Sequence, residues 1–175
     1  MTMKKLLLTL TAILSLALSV QAGEGGVTLN PQFGAFYQKG FNGVLELEFE
    51  SRYFHSWNVY LDFCNTFKYC ENDHTFFCEE TFWDYQTIAI GVAYKYELIR
   101  WRNANLKARL GFDLGADYYK KDDYTFYMSA EVGFELSYTL RNRVQLSLIQ
   151  KNDFCFLTRD HFKNGLLVGI KIPLN

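Results

Sequence analysis

The sequence predicts an all-β fold, an eight-stranded antiparallel up-and-down β-barrel of the outer-membrane type, and three observations lead there. Apolar and polar residues alternate with a period of two along nearly the whole chain after residue 22. The chain opens with an export signal. Beyond that signal no stretch approaches the roughly 18 apolar residues of a membrane helix, so a mature chain that sits in lipid does so as strands.

The opening "MTMKKLLLTLTAILSLALSVQA" has a charged start at Lys4 and Lys5, an apolar run from Leu6 to Val20 and a small-residue cleavage site at Val20-Gln21-Ala22. This reads as a signal peptide over residues 1–22, with one mature domain over 23–175. A transmembrane anchor would need a longer apolar run, and polar Gly-Glu-Gly-Gly follows at once. No cysteine follows the cleavage site, which argues against a lipid-anchored N-terminus. The chain is 18% aromatic, with 12 Tyr and 16 Phe against 2 Pro, and its net charge is -1. Nothing is basic enough to follow a nucleic-acid backbone, so no direct nucleic-acid partner is expected.

Each predicted strand shows the same two faces. The first, 27–38, carries Val27, Leu29, Phe33, Ala35 and Tyr37 on one side. The second, 44–53, sets Leu45, Leu47, Phe49 and Tyr53 against Glu46, Glu48, Glu50 and Arg52. In the third, 57–69, Trp57, Val59, Leu61, Phe63 and Phe67 oppose Asn58, Tyr60, Asp62, Cys64, Thr66 and Lys68. The fourth, 85–98, sets Ile88, Ile90, Val92, Tyr94 and Tyr96 against Ala89, Gly91, Ala93, Lys95 and Glu97.

The fifth contains "LKARLGFDLGAD", where Leu106, Ala108, Leu110, Phe112 and Leu114 oppose Lys107, Arg109, Asp113 and Asp117. The sixth, 124–140, sets seven residues from Phe126 to Tyr138 against Ser129, Glu131, Gly133, Glu135 and Ser137. The seventh, 144–156, starts cleanly at Val144, Leu146 and Leu148, but Gln150 and Asn152 break the parity, which predicts a bulge near Ile149 or a strand leaving the bilayer there. The eighth, 165–174, offers Leu166, Val168, Ile170, Ile172 and Leu174 against Gly165, Gly169 and Lys171.

Eight segments of this length suit an even-numbered barrel, whose closure leaves no unpaired backbone in lipid. Connections 54–56, 100–105 and 140–143 read as short periplasmic turns, and 70–84, 119–123 and 158–164 as longer outer loops; 39–42 is outer but short.

The apolar face then meets outer-membrane lipid, the expected partner, and the charged face fills a barrel too narrow to be an open pore. The inward acids are Glu46, Glu48, Glu50, Asp62, Glu97, Asp113, Asp117, Glu131, Glu135 and Asp153. The inward bases are Arg52, Lys68, Lys95, Lys107, Arg109, Lys151 and Lys171. Such a set nearly cancels, as a plugged, salt-bridged core requires; its acidic surplus leaves a weak cation path as an alternative. The rival is a soluble periplasmic barrel or sandwich with aromatics inward and charges in water. Against it stand Gly91, Ala93, Gly111, Gly115 and Gly133 on the charged face, where a crowded interior demands small side chains. Aromatics near strand ends also fit an interfacial girdle: Tyr53, Trp57, Tyr69, Tyr94, Tyr96, Trp101, Tyr118, Tyr119 and Tyr138.

Of four cysteines, Cys70 and Cys78 flank "ENDHTFF" and are the candidate loop disulfide. Cys64 and Cys155 point inward from strands on opposite sides of the barrel and are not expected to pair. No cofactor or metal is expected, since no CxxC pair or histidine cluster is present. Asp73-His74, Asp160-His161 and His55-Ser56 are the pairs that chemistry could use, but without an evident nucleophile on an outer strand end the chain reads as no enzyme. The turn Arg100-Trp101-Arg102 is a candidate contact for head groups or a protein partner.

The second half resembles the TraO family of conjugative-transposon transfer proteins. The resemblance rests on "IGVAYKYELIRWRNANLKARLG" from Ile90 to Gly111, "GFEL" from Gly133, "QKNDF" from Gln150 and the ending "NGLLVGIKIPLN", and covers 90–175. It implies a non-enzymatic, outer-membrane-associated protein that serves a conjugation apparatus, with other transfer proteins as partners. None of these motifs is an active-site signature. The ending Pro173-Leu174-Asn175 departs from ordinary outer-membrane barrels, which close on an aromatic. The alternatives are a barrel of general envelope-stabilising, adhesin or lipid-modifying type.

Overall fold

Alternation at a period of two has one geometric meaning, since successive side chains of a strand point to opposite faces. In the computed structural model this alternation is realised in eight strands. The structure describes residues 26–36, 40–51, 55–67, 83–119, 123–141, 143–158 and 160–174. The strands are β1 (Val27–Phe36), β2 (Gly40–Glu50), β3 (His55–Phe67), β4 (Trp83–Arg100), β5 (Ala104–Tyr119), β6 (Asp123–Thr139), β7 (Gln145–Phe156) and β8 (Phe162–Pro173). Each pairs antiparallel with its neighbour in sequence, and β1 pairs with β8, so the sheet closes into a barrel in the order β1 to β8. At that closing seam the ladder skips Asn30 and Pro31 without a change of register; proline has no N–H to contribute to a ladder.

The faces are as the periodicity requires. Outward residues of β5 and β6 such as Leu110, Phe112, Val132 and Phe134 are 41–58% exposed, whereas Arg109, Asp113, Glu131 and Glu135 are at most 1% exposed. This excludes the inside-out arrangement, because aromatics and branched aliphatics form the outer surface and charges form the core. A surface of that composition is stable in hydrocarbon and not in water.

Three expectations are corrected. No bulge occurs near Ile149: β7 keeps an unbroken register with both neighbours, and Ile149 is fully buried in the interior. Gln150 and Asn152 simply hold the outward parity and bond locally, with Gln150 donating to Asn152 at 2.7 Å and Asn152 donating to the Val132 carbonyl at 3.1 Å. The register shifts lie elsewhere, between Thr66 and Phe67 and between Glu97 and Ile99. Second, the 119–123 connection is not a long loop, because β5 and β6 run on to Tyr119 and Asp123. At 18, 16 and 17 residues, β4, β5 and β6 exceed the roughly 9–11 that span a bilayer, so their ends lie beyond the hydrocarbon. Third, Tyr119 does not join an outer girdle. It has the inward parity of Asp117, and its ring packs on Tyr85 at 5.5 Å.

Trp57, Tyr96, Trp101, Tyr118 and Tyr138 do face outward, 49–55% exposed, and Trp57 packs on Tyr94 at 4.9 Å. Tyr53, Tyr69, Arg52, Lys68, the signal segment and the Cys70–Cys78 pair lie outside the described residues. Cys64 and Cys155 are buried free thiols.

Candidate functional site: the charged barrel interior and its rims

The densest chemistry lies at the end of the barrel where the chain enters β1 and leaves β8. Glu46 and Glu48 sit two apart on β2 and so point inward together. Opposite them come Lys95 from β4, Lys107 and Arg109 from β5, Glu131 and Glu135 from β6 and Lys171 from β8. Lys95 Nζ lies 2.5 Å from Glu46 Oε1, 3.0 Å from Glu48 Oε2 and 2.6 Å from Glu135 Oε2. Arg109 donates from Nη1 to Glu46 at 2.7 Å and from Nε to Glu131 at 2.7 Å. Lys171 reaches Glu48 at 2.5 Å and also Glu135, and Lys107 reaches Glu48 at 2.7 Å. Asn30 and Asn58 donate to Glu46, Ser56 to Glu48 and Ser137 to Glu135, at 2.6–3.2 Å. A lattice in which every carboxylate meets a cation is how so much charge survives out of water.

Among the described residues, Glu46, Glu48 and Glu135 are the carboxylates whose oxygens converge closely enough to hold a metal ion, within 4.8 Å of one another. The Lys95 ammonium already lies among them, bonded to an oxygen of each of the three. A metal would have to displace it, so the donor set does not fit one.

A second cluster lies farther along the barrel. Lys151 hydrogen-bonds Asp62 and lies 3.1 Å from Asp153 and 4.0 Å from Asp113, which accepts from Ser129 at 2.5 Å and Tyr60 at 3.3 Å. Tyr60 fits because position 91 is glycine: a Cβ there would lie 2.3 Å from the Tyr60 ring. The small residues of the charged face thus have the crowding role that the sequence assigned them.

The far end holds a third group, which sequence reasoning missed. Lys163 is 3% exposed, donates to Thr87 at 3.1 Å, and lies 3.9 Å from Asp117 and 4.7–4.9 Å from the centroids of the Tyr85 and Tyr127 rings. The sequence pattern places it in a loop, but β8 begins at Phe162; extending the inward parity of Gly165 and Lys171 back by one step finds it. Thr158 and Asp160 are tied into this end, with Thr158 donating to Asp117 and Tyr85 donating to Asp160.

The catalytic candidates are engaged structurally where they are described. Ser56 is not in a turn but in β3, donating to Glu48 at 2.6 Å, and His55 stacks on Tyr96 at 5.1 Å. Asp160 holds Tyr85, and His161 is exposed. Asp73 and His74 fall outside the described residues. Glu50 is a rim residue with its side chain 43% exposed, reaching Lys107 at 3.2 Å.

On the rim, Arg100 ends β4 and donates to Glu97 at 2.7 Å, which holds its guanidinium above its ordinary value. Trp101 and Arg102 are exposed, and residues 100–105 line a polar hollow of about 220 Å³ together with Glu50, Thr139 and Gln145. A larger apolar groove of about 700 Å³ lies on the outer wall at the β1–β8 seam, between residues such as Phe33, Leu136, Leu148 and Val168.

No protein-family model matches the sequence, and no curated protein matches it. Solved structures do resemble it. A major outer membrane protein of Thermus thermophilus superposes with a TM-score of 0.60 at 11% identity, over 86% of this chain and 100% of that one. Neisserial surface protein A superposes with a TM-score of 0.56 at 14% identity, over 85% and 94%. At such identities the likeness is one of fold, and it agrees with the lipid-facing exterior: the chain is a closed eight-stranded transmembrane barrel of the outer-membrane type.

Proposed function

We propose that this protein is a non-enzymatic outer-membrane component of a conjugative transfer apparatus that works through its rims. The observation that carries the reading is the filled interior. The carboxylates, ammonium groups and guanidinium that a channel or a catalytic centre would present are bound to one another, 0–5% exposed, in all but the rim positions. Function then falls to groups outside the barrel wall. On the inner side these are Arg100, Trp101 and Arg102 around their polar hollow, and on the outer side the connection that the sequence predicts over 70–84. The conjugative assignment itself is supported by the resemblance of residues 90–175 to the TraO family.

The test is a mating assay with the gene deleted and then complemented. Transfer frequency should fall on deletion and return with the intact gene. It should not return with Arg100→Ala, Trp101→Ala, Arg102→Ala in combination, while that variant still fractionates with the outer membrane. Unchanged transfer on deletion sinks the conjugative reading. Envelope leakage or lost attachment without a mating defect would place the protein among general envelope barrels, and an altered lipid A mass among lipid-modifying ones.

A further inference from the structure

The outer wall carries a polar island inside its apolar band. Along β7 the outward row reads Leu146, Leu148, Gln150, Asn152, Phe154 and Phe156, so two amides interrupt it near the middle of a 12-residue strand. Asn164 on β8 is the ladder partner of Asn152 and has the same outward parity, between Phe162 and Leu166. All three amides are half-buried against apolar neighbours. Other polar side chains of outward parity sit at strand ends. His55 opens β3, and Gln86 lies near the outer end of the 18-residue β4 with Asn65 opposite it on the ladder.

Local bonds use only part of what the island offers. Gln150 donates to Asn152 Oδ1, and Asn152 donates to the Val132 carbonyl. The second N–H of each, Gln150 Oε1 and both polar atoms of Asn164 have no partner among the described residues. Acyl chains carry neither donors nor acceptors, so an amide left unbonded among them is strongly unfavourable. A rim residue escapes this by turning to water, but Leu148 and Phe154 flank the β7 pair on both sides. The missing partners must come from another protein surface at the same depth.

We propose that Gln150, Asn152 and Asn164 form the centre of a homodimer interface, in which the β7–β8 wall of one barrel meets the same wall of a second copy. Two barrels inserted in the same direction close as a dimer about a two-fold axis along the membrane normal, so each group meets its own image at its own depth. A charged residue there would face like charge. A carboxamide offers a donor to its image's acceptor and an acceptor to its image's donor, and is the polar group that suits self-pairing. The surround is fit for contact with a second wall: Val132, Leu148, Phe154, Phe162 and Leu166 are 37–47% exposed, and Phe154 packs on Phe162 at 5.2 Å. This wall lies apart from the rims to which the conjugative role is assigned, so the two readings stand or fall separately.

The experiment is energy transfer between copies carrying donor or acceptor dye on an appended tag, in phosphatidylethanolamine and phosphatidylglycerol vesicles, followed as protein is diluted with lipid. The wild type should show transfer that falls on dilution. With Gln150→Leu, Asn152→Leu and Asn164→Leu combined, the same transfer should need at least about tenfold more protein per lipid, since each interchain amide bond in a membrane counts for a factor of roughly 3 to 20. The triple variant should resist urea no less than the wild type, because leucine suits a wall in lipid. In a chain whose own cysteines are replaced by serine, Asn164→Cys should link to itself on oxidation, and Leu61→Cys on the opposite wall should not. Absence of transfer in the wild type at every dilution overturns the proposal and leaves the island to a different envelope protein. Undiminished transfer in the triple variant, or linkage through Leu61→Cys as ready as through Asn164→Cys, overturns it as well.

Discussion

Exchanging Lys95 for methionine keeps the length and apolar stem of the side chain and removes its charge from the point where three carboxylates meet. Nζ lies 2.5, 2.6 and 3.0 Å from oxygens of Glu46, Glu135 and Glu48, with every side chain 0% exposed. Without it, four acids face three bases where water does not reach. Each acid keeps another cation: Glu46 has Arg109 at 2.7 Å, Glu48 has Lys107 at 2.7 Å and Lys171 at 2.5 Å, and Glu135 has Lys171. The expected loss is therefore that of one broken buried pair, about 3–5 kcal/mol, and not three times that. Adding Glu135→Gln removes the surplus charge while leaving Oε1 to accept from Lys171 and Ser137, so the double variant should recover most of the loss. Urea unfolding in lipid vesicles, read from the fast-migrating band of an unboiled gel, measures both. A Lys95→Met barrel within about 1 kcal/mol of wild type would refute the reasoning, because it would mean that the lattice is hydrated or already neutral.

Four further outcomes are expected. Gly91→Leu drives its side chain into the Tyr60 ring, 2.3 Å from where its Cβ must sit, and should cost about 1–3 kcal/mol in the same unfolding assay. Val132→Arg on the lipid-facing wall should cost about 2–4 kcal/mol, whereas Leu157→Arg beyond the end of β7 should stay within about 1 kcal/mol. Asp117→Ala removes the acceptor of Thr158 and the counter-charge of Lys163, so limited proteolysis of intact cells should cut within 157–161 in the variant and not in the wild type. Thiol titration of unfolded protein should count the two thiols Cys64 and Cys155 before reduction and all four cysteines after it, if Cys70 and Cys78 are paired.

The run "LKARLGFDLGAD" shows what can be read without coordinates. Which face each residue occupies is a local property of an extended chain, so the eight strands, their two faces and the inward set from Glu46 to Lys171 follow from periodicity alone. Where residue type conflicts with period, period is the better guide. Gln150 and Asn152 look like a broken pattern, yet they stay outward, with Gln150 donating to Asn152 and Asn152 to the Val132 carbonyl. Lys163 escapes sequence reasoning because strand ends carry the weakest pattern, and β8 starts three residues before its clear alternation does.

Which charges meet was not legible. Glu46 bonds Arg109 across 63 residues and Glu48 bonds Lys171 across 123, and those distances depend on register and on closure of the sheet. Near-neutrality of the interior was in the sequence; the sorting of that charge into a lattice around Lys95 and a second cluster around Lys151 was not. By itself the sequence determined the strands and which face of each is charged, because both are set within one strand. The tertiary structure alone decided which charges neutralise one another, because a salt bridge is made between strands and its distance exists only once the barrel has closed.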